Sequence, residues 1–109
     1  MITVDIIKGS GNYITVSSKG HAGYANSGKD IICAAVSSLI INTFNSIEKF
    51  TDDRFTTDVV DEKSGSLQMS FIGENSHDCH LLLDSLVLGL ESIIDQYGEK
   101  YLTLHIKEV

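Results

Sequence analysis

The feature that most constrains the fold of this chain is a stripe of apolar residues at spacings of three and four. Such spacing places side chains on one face of an α-helix. The stripe predicts a helix from Ser76 or His77 to Tyr97, and Gly98 stands where a left-handed C-cap belongs. The residues that form it are Cys79, Leu82, Leu83, Leu86, Val87, Leu90, Ile93, Ile94 and Tyr97.

A second helix is predicted from Ile31 to Phe50, and its apolar stripe is wider than a helix packed on one side requires. Two arrangements explain that width. Either a sheet covers one side of the helix and a partner subunit covers the other, or the helix lies deep in the core. The apolar residues are Ile32, Val36, Leu39, Ile40, Ile41, Phe44, Ile47 and Phe50.

Alternating apolar and polar residues predict five strands, and the turn-forming residues 9–12 join the first two strands as a hairpin. The element order is therefore ββαββαβ. This order favours an α+β two-layer sandwich in which two helices cover one face of a mainly antiparallel sheet. At 109 residues the chain is expected to be a single domain, 1–109. The predicted strands are residues 2–7, Tyr13 to Ser18, Phe55 to Val60, Leu67 to Ile72 and Tyr101 to Lys107.

The charge balance restricts the class of partner. A net charge of −7 with 8 Lys and Arg residues argues against a nucleic-acid binder and favours a basic partner, although acidity also simply promotes solubility. We see no signal peptide and no apolar run that approaches membrane-spanning length, so no membrane partner is expected and a cytoplasmic location is the default. Cys33 and Cys79 are then expected to be reduced thiols.

A histidine and a cysteine flank a glycine-punctuated loop near the start of the first predicted helix. His21 follows Gly20, and Cys33 comes twelve residues after His21. If Asp30 is the N-cap, Cys33 is the third helical residue, where the helix N-terminus favours thiolate over thiol. Ser37 lies one turn further along the same face, where its hydroxyl can reach a substrate or a backbone carbonyl. These residue types are the ones that a thiol nucleophile and its general base require.

Simpler interpretations of these residues stand beside the catalytic one. A cysteine in a helix rich in Ala, Val and Ile is more often an inert core residue. A histidine after a glycine is more often a surface residue, and a glycine-rich loop is usually only a turn. Spacing alone does not place the ring against the sulfur.

The segment His77-Asp78-Cys79-His80 has the residue types of a metal site. Cys79 falls on the apolar stripe, whereas His80 points about 100 degrees away from it, so the two cannot readily share an ion. We therefore interpret Cys79 as a core residue and His77 and Asp78 as surface residues of the first turn. No metal and no cofactor are expected.

The segment from Gly20 to Leu39 resembles the signature of the bacterial ribosomal-processing cysteine proteases, the Prp family. The matching residues read Gly-His-Ala-Gly-Tyr-Ala and then Gly-Lys-Asp-Ile-Ile-Cys-Ala-Ala-Val-Ser-Ser-Leu. The similarity extends over the whole chain in length, element order and the Met-Ile-x-Val start. Members of that family are small homodimeric α+β proteins that remove a short N-terminal extension from a large-subunit ribosomal protein.

The resemblance implies a role for each residue of the signature. Cys33 matches the nucleophile and His21 the general base. Gly20, Asp30 and Ser37 match positions associated with the site, with Asp30 assigned to capping and orientation and Ser37 to substrate contact. The implied activity is that of a cysteine endopeptidase acting in ribosome maturation, as a homodimer and without direct contact to nucleic acid.

Two rival functions remain open. A non-catalytic ribosome-assembly or ribosomal-protein-binding factor would share the acidic surface and the lack of basic patches, but it has no reason to keep Cys33 ionised and accessible. A redox-sensing thiol protein would need a resolving cysteine, and none is evident near Cys33.

Overall fold

The computed structural model describes residues 2–20, 27–61 and 66–109, with the backbone alone at 27–30 and 59–61. The elements follow the predicted order ββαββαβ. Strand boundaries differ from the predicted ones by one or two residues. The elements are β1 Ile2–Gly9, β2 Asn12–Lys19, α1 Ser27–Phe50, β3 Arg54–Asp61, β4 Ser66–Ile72, α2 His77–Tyr97 and β5 Leu102–Glu108.

The five strands form one mixed sheet in the order β3-β4-β2-β1-β5. The pairs β1–β2, β2–β4 and β3–β4 are antiparallel. Strand β5 returns after α2 to lie parallel to β1, with Ile2 opposite Leu102 and Ile6 opposite Ile106. The prediction of a mainly antiparallel sheet with two helices is therefore confirmed. The parallel pair joins the first and last strands of the chain, and the chain enters β5 from α2.

The core lies between the sheet and the two helices. Strand β1 alternates buried and half-buried residues from Ile2 to Ile6, as expected for a strand with one face on a core. Helix α2 buries Cys79, Leu83, Leu86 and Leu90, which are members of the predicted stripe. Helix α1 contributes its own buried face, made of Ile32, Cys33, Val36, Ile40, Phe44 and Ile47.

The two ends of α2 lie at the predicted residues, but the C-cap differs from the predicted left-handed conformation, because Gly98 has φ +80° and ψ −179°. Ser76 is the N-cap, and its side chain accepts a hydrogen bond from the backbone N–H of Cys79 at 3.1 Å. Gly98 is the C-cap, and its backbone N–H donates to the carbonyl of Ile94 at 2.7 Å. Both ends of the most regular helix are thus fixed by local hydrogen bonds.

Helix α1 packs on one side and is exposed on the other. Ile31 is 62% exposed and Ile41 is 52% exposed, whereas Val36 and Ile47 are fully buried. The alternative in which α1 lies deep in the core is therefore wrong, because the wide apolar stripe reaches solvent.

The expectation that no apolar run approaches membrane-spanning length is also wrong. The segment Ile31–Phe50 has 20 residues and a mean hydropathy of 1.4, which are enough by length and composition to cross a membrane. The core helix of a soluble protein can have the same length and hydropathy, and this segment packs its buried face into the core that it shares with α2 and the sheet.

Candidate active site

Strand β2 ends directly before the first residue of the predicted site. Gly20 follows the last residue of β2 and has φ +95°, a backbone conformation that residues with a side chain rarely adopt. Glycine is thus required where the chain leaves the sheet toward position 21. His21 itself lies outside the described residues.

Cys33 lies in α1 on the helix face that packs into the core. The residue is 7% exposed, and it belongs to the same buried cluster as Ile32 and Val36. Its thiol is not part of a disulfide. An inert core thiol and a nucleophile at a closed site are both buried. The low exposure of Cys33 is therefore compatible with either interpretation.

Asp30 is not the N-cap of α1, contrary to the sequence prediction. The helix begins at Ser27, so Asp30 is its fourth residue and Cys33 its seventh. The first turn was missed because its residues are polar, and apolar periodicity marks only the part of a helix that is buried. The N–H groups of α1 that lack an intrahelical acceptor therefore precede Cys33, and the field of the helix N-terminus falls off within the first turn.

Ser37 occupies the position that its spacing predicted. It lies four residues after Cys33 in α1, and it is half-buried. Residues four apart lie on neighbouring turns of one helix face, and the contact of Ser37 with a substrate stays a prediction.

The second cysteine is held as a neutral thiol. Cys79 is fully buried, as predicted for a core residue. Burial raises the pKa of the Cys79 thiol to about 12, and the nearby Asp53 carboxylate, which accepts a hydrogen bond from that thiol, adds to this effect. A thiol in this state is a poor nucleophile, because the thiolate is the reactive form. Cys79 is therefore not expected to be the reactive cysteine.

Of the two histidines beside Cys79, only His80 contacts a distant part of the chain. His80 Nδ1 lies 3.1 Å from Asp84 Oδ2, and His80 Nε2 lies 3.1 Å from the carbonyl oxygen of Gly11. His77 is exposed and contacts only its neighbour Asp78 among the described polar partners. Within residues 2–20, 27–61 and 66–109, no group of three or more His, Cys, Asp and Glu side chains is placed to hold a metal ion.

A polar cluster around Asn75 was not predicted from the sequence. The Asn75 side chain bonds the backbone of Tyr13 through both its oxygen and its nitrogen, and the backbone N–H of Asn75 donates to Asn12 Oδ1 at 2.9 Å. The Tyr13 hydroxyl donates to Asp84 Oδ1 at 2.6 Å. These contacts join the β1–β2 hairpin to the start of α2 across about sixty positions of sequence, a separation at which local patterns carry no signal.

Comparison with known proteins identifies the class. The family model for cysteine protease Prp matches residues 1–102, so the chain belongs to the cysteine protease Prp family. The ribosomal processing cysteine protease Prp of Staphylococcus aureus strain Mu50 is 30% identical over 100 residues, which cover 91% of this chain and 93% of that protein. The predicted family resemblance is therefore confirmed.

Two solved structures of the Staphylococcus aureus protease have the same fold. The complex with a covalently linked product peptide is 30% identical, has a TM-score of 0.84, and covers 98% of this chain and 100% of that one. The complex with a substrate peptide is 26% identical, has a TM-score of 0.84, and covers 100% of both chains. The five-stranded sheet and two helices of this chain are thus the fold of ribosomal processing proteases.

Proposed function

We propose that this chain is a cysteine endopeptidase that removes the short N-terminal extension of a large-subunit ribosomal protein during ribosome maturation. The observation that supports the proposal best is the family match over residues 1–102, a range that includes both His21 and Cys33. Two of the similar solved structures are of a processing protease bound to a product peptide or to a substrate peptide. Residues 1–109 form one protease domain in this proposal, and it acts in the cytoplasm.

The reaction is acyl transfer through a thioester. His21 takes the proton of the Cys33 thiol, and the thiolate adds to the scissile carbonyl carbon. Collapse of the tetrahedral intermediate breaks the C–N bond, and the leaving amine receives the proton from His21. Water, deprotonated by His21, then adds to the thioester, which releases the carboxylic acid and returns the proton to the Cys33 sulfur.

Each remaining site residue has a positioning role. Gly20 supplies the backbone conformation that brings the chain out of β2 toward His21, in line with its φ of +95°. Asp30 orients the backbone around the start of α1 from inside the first turn of that helix. Ser37 contacts the substrate.

We also propose that the protein acts as a homodimer. The exposed apolar residues of α1 support this, since Ile31 and Ile41 project from the helix on the side away from the sheet. A second copy that covered these side chains would remove apolar area from water, which stabilises association by about 25 cal/mol for each Å² buried.

Cleavage of a defined peptide tests the activity. The purified protein is mixed with a peptide that spans an apolar N-terminal extension and its junction with the mature protein, and products are identified by mass spectrometry. We expect one defined cut with the natural chain and none with Cys33→Ala. The matched control is Cys79→Ala, which removes the other thiol and is expected to retain the cut.

The outcomes separate the proposal from its rival. A cut that persists in Cys33→Ala contradicts the assignment of the nucleophile. A peptide that binds and stays intact contradicts the protease function and assigns the chain to the ribosome-assembly factors, which bind without catalysis. The fold of each variant is checked by circular dichroism, so that a lost cut reports chemistry and not unfolding.

A further inference from the structure

An open groove of about 610 Å³ lies at the C-terminal end of α1, whereas Cys33 lies in the N-terminal part of that helix. It forms where three segments meet: the end of α1, the connection from α1 to β3, and the connection from β4 to α2. Phe50 is the last residue of α1, and about 25 Å of helix rise separates it from Cys33. The groove is therefore distinct from the cleavage site on the same chain.

Two apolar side chains are exposed in this groove. Phe50 is 68% exposed and Ile72 is 58% exposed. Ile72 ends β4, and Arg54 is its cross-strand partner at the start of β3. Exposed aromatic side chains within a groove are typical of the residues that contribute most to binding energy at protein interfaces. Phe50 and Ile72 thus offer a surface for an apolar side chain of a partner.

Carboxylates surround these apolar residues. Four acidic residues and one basic residue line the groove, which gives it a formal charge of −3. The Asp53 carboxylate bonds the backbone of Ser76, whereas Asp52, Glu74 and Asp78 are exposed to solvent. Arg54 is the single cation among the lining residues that the structure describes.

This charge selects the class of partner. A second copy of this chain carries the same net charge of −7, and nucleic acids and anionic lipids carry phosphate, so each of them is repelled by the groove. A polypeptide segment with Lys or Arg on both sides of an apolar residue complements both features. Proteins that bind ribosomal RNA are rich in such segments because they must neutralise phosphate.

We propose that the groove formed around Phe50, Ile72, Asp52, Glu74 and Asp78 docks a basic and apolar segment of the substrate protein, downstream of the bond that Cys33 cleaves. This inference rests on the proposed protease function for the identity of the substrate. About eight residues of extended chain span the distance between Cys33 and Phe50. The docked segment therefore lies at least that far beyond the scissile bond when one chain provides both sites.

Binding of a synthetic probe tests the groove without any requirement for catalysis. The probe is a fluorescein-labelled peptide of Lys residues interrupted by Phe and Leu, and its affinity for the full chain is measured by fluorescence anisotropy at low salt. The groove variant Asp52→Asn/Glu74→Gln/Asp78→Asn is compared with Glu91→Gln/Asp95→Asn/Glu99→Gln. Both variants change the net charge by the same amount, and all six carboxylates are exposed.

We expect the groove variant to bind the probe about fivefold more weakly, since three exposed ion pairs contribute a few tenths of a kcal/mol each. The control variant is expected to change affinity less than about twofold. Phe50→Ser is expected to weaken binding as well, whereas Tyr97→Ser, which alters an aromatic residue 50% exposed at the end of α2, is not. Equal losses in the groove and control variants overturn the proposal, because they indicate attraction by the whole chain.

Two further measurements distinguish docking of a substrate segment from a dimer interface at the groove and from an effect on catalysis. Light scattering on the same variants reports the oligomeric state, and a change confined to the groove variant would overturn the proposal and assign the groove to a second copy. Kinetics on a short junction peptide and on an extended basic protein separate docking from chemistry. The groove variant is expected to have a higher KM for the protein substrate and unchanged kinetics on the short peptide. If the natural chain cuts neither substrate, the protease function is contradicted, whereas the probe-binding result still tests the groove.

Discussion

The Asp53 carboxylate accepts a hydrogen bond of 2.8 Å from the backbone N–H of Ser76, and this contact ties the end of the α1–β3 connection to the first residue of the α2 cap. Burial alone would raise the pKa of Asp53, but hydrogen bonds from Ser76, Cys79 and Thr51 outweigh burial and hold that pKa below its usual value. The Asp53 carboxylate thus accepts hydrogen bonds from residues at the start of α2 and holds that end of the helix against the α1–β3 connection.

Asp53→Asn is expected to lower the free energy of unfolding by about 1–3 kcal/mol, because an amide nitrogen then faces groups that need an acceptor. Urea denaturation measures the change. The control is Asp52→Asn, which neutralises the exposed neighbour and is expected to change the free energy of unfolding by less than about 0.5 kcal/mol. Equal effects of the two substitutions would contradict a structural role for Asp53.

Stability is expected to fall in acid. Burial would raise the pKa of Asp84, but hydrogen bonds from Tyr13 and His80 and the positive charges of His80 and Lys8 hold that pKa below its usual value. The pKa of Asp53 is also below its usual value. A carboxyl whose pKa is lower in the folded state adds stability above its unfolded pKa and loses it as the pH falls through the folded pKa. The contribution of each carboxyl to the free energy of unfolding is therefore complete above about pH 5 and declines below about pH 4.

Urea unfolding midpoints measured from about pH 6 to about pH 2.5 test this expectation. Asp84→Asn is expected to flatten the decline, because one of the carboxyls that take up a proton on unfolding is removed. Glu91→Gln, at an exposed carboxyl of α2, is expected to leave the slope as it is. A decline of the same steepness in Asp84→Asn as in the natural chain would contradict the account.

The Tyr13 hydroxyl is expected to stay protonated in the folded chain well into alkali. Burial raises the pKa of Tyr13 far above its usual value, and the hydrogen bond to Asp84 and the charge of that carboxylate add to the rise. Absorbance at the tyrosinate band, followed up to about pH 11, is therefore expected to be the same in Tyr13→Phe as in the natural chain. A reduction of that absorbance in Tyr13→Phe would contradict the prediction.

Two glycines with positive φ permit a matched test of the site. Gly11 has φ +80° in the β1–β2 turn, and Gly20 has φ +95° directly before His21. Alanine at either position is expected to lower the free energy of unfolding by about 1–2 kcal/mol. Cleavage is expected to fall only in Gly20→Ala, because that substitution also alters the path of the chain toward the proposed base. Equal activity of the two folded variants would contradict a positioning role for Gly20.

The sequence predicts the elements of this fold well because their patterns are local. The stripe from Cys79 to Tyr97 and the position of Gly98 are sufficient to bound α2 within a residue. The start of α1 was placed four residues late, since the polar first turn from Ser27 to Asp30 carries no apolar period. Apolar periodicity therefore bounds a helix only over the turns that carry apolar residues.

Contacts between distant segments were beyond local pattern. Asn75 bonds Tyr13, and Asp53 bonds Ser76, only because the fold brings these segments together. The burial of Cys79 was predictable from its place on the stripe, whereas the carboxylate that accompanies it was not. The pairing of His21 with Cys33 comes from the family signature and stays a prediction, because His21 lies outside the described residues.

The most direct test of the central claim is to locate a covalent adduct. The natural chain is treated with a chloromethyl ketone of a peptide that ends at the junction found in the cleavage assay, and the modified residue is identified by tryptic mass spectrometry. The account predicts modification of Cys33 alone, lost in Cys33→Ala and strongly reduced in His21→Ala. Modification of Cys79, or labelling of Cys33 that is unaffected by His21→Ala, would contradict a Cys33 nucleophile activated by His21.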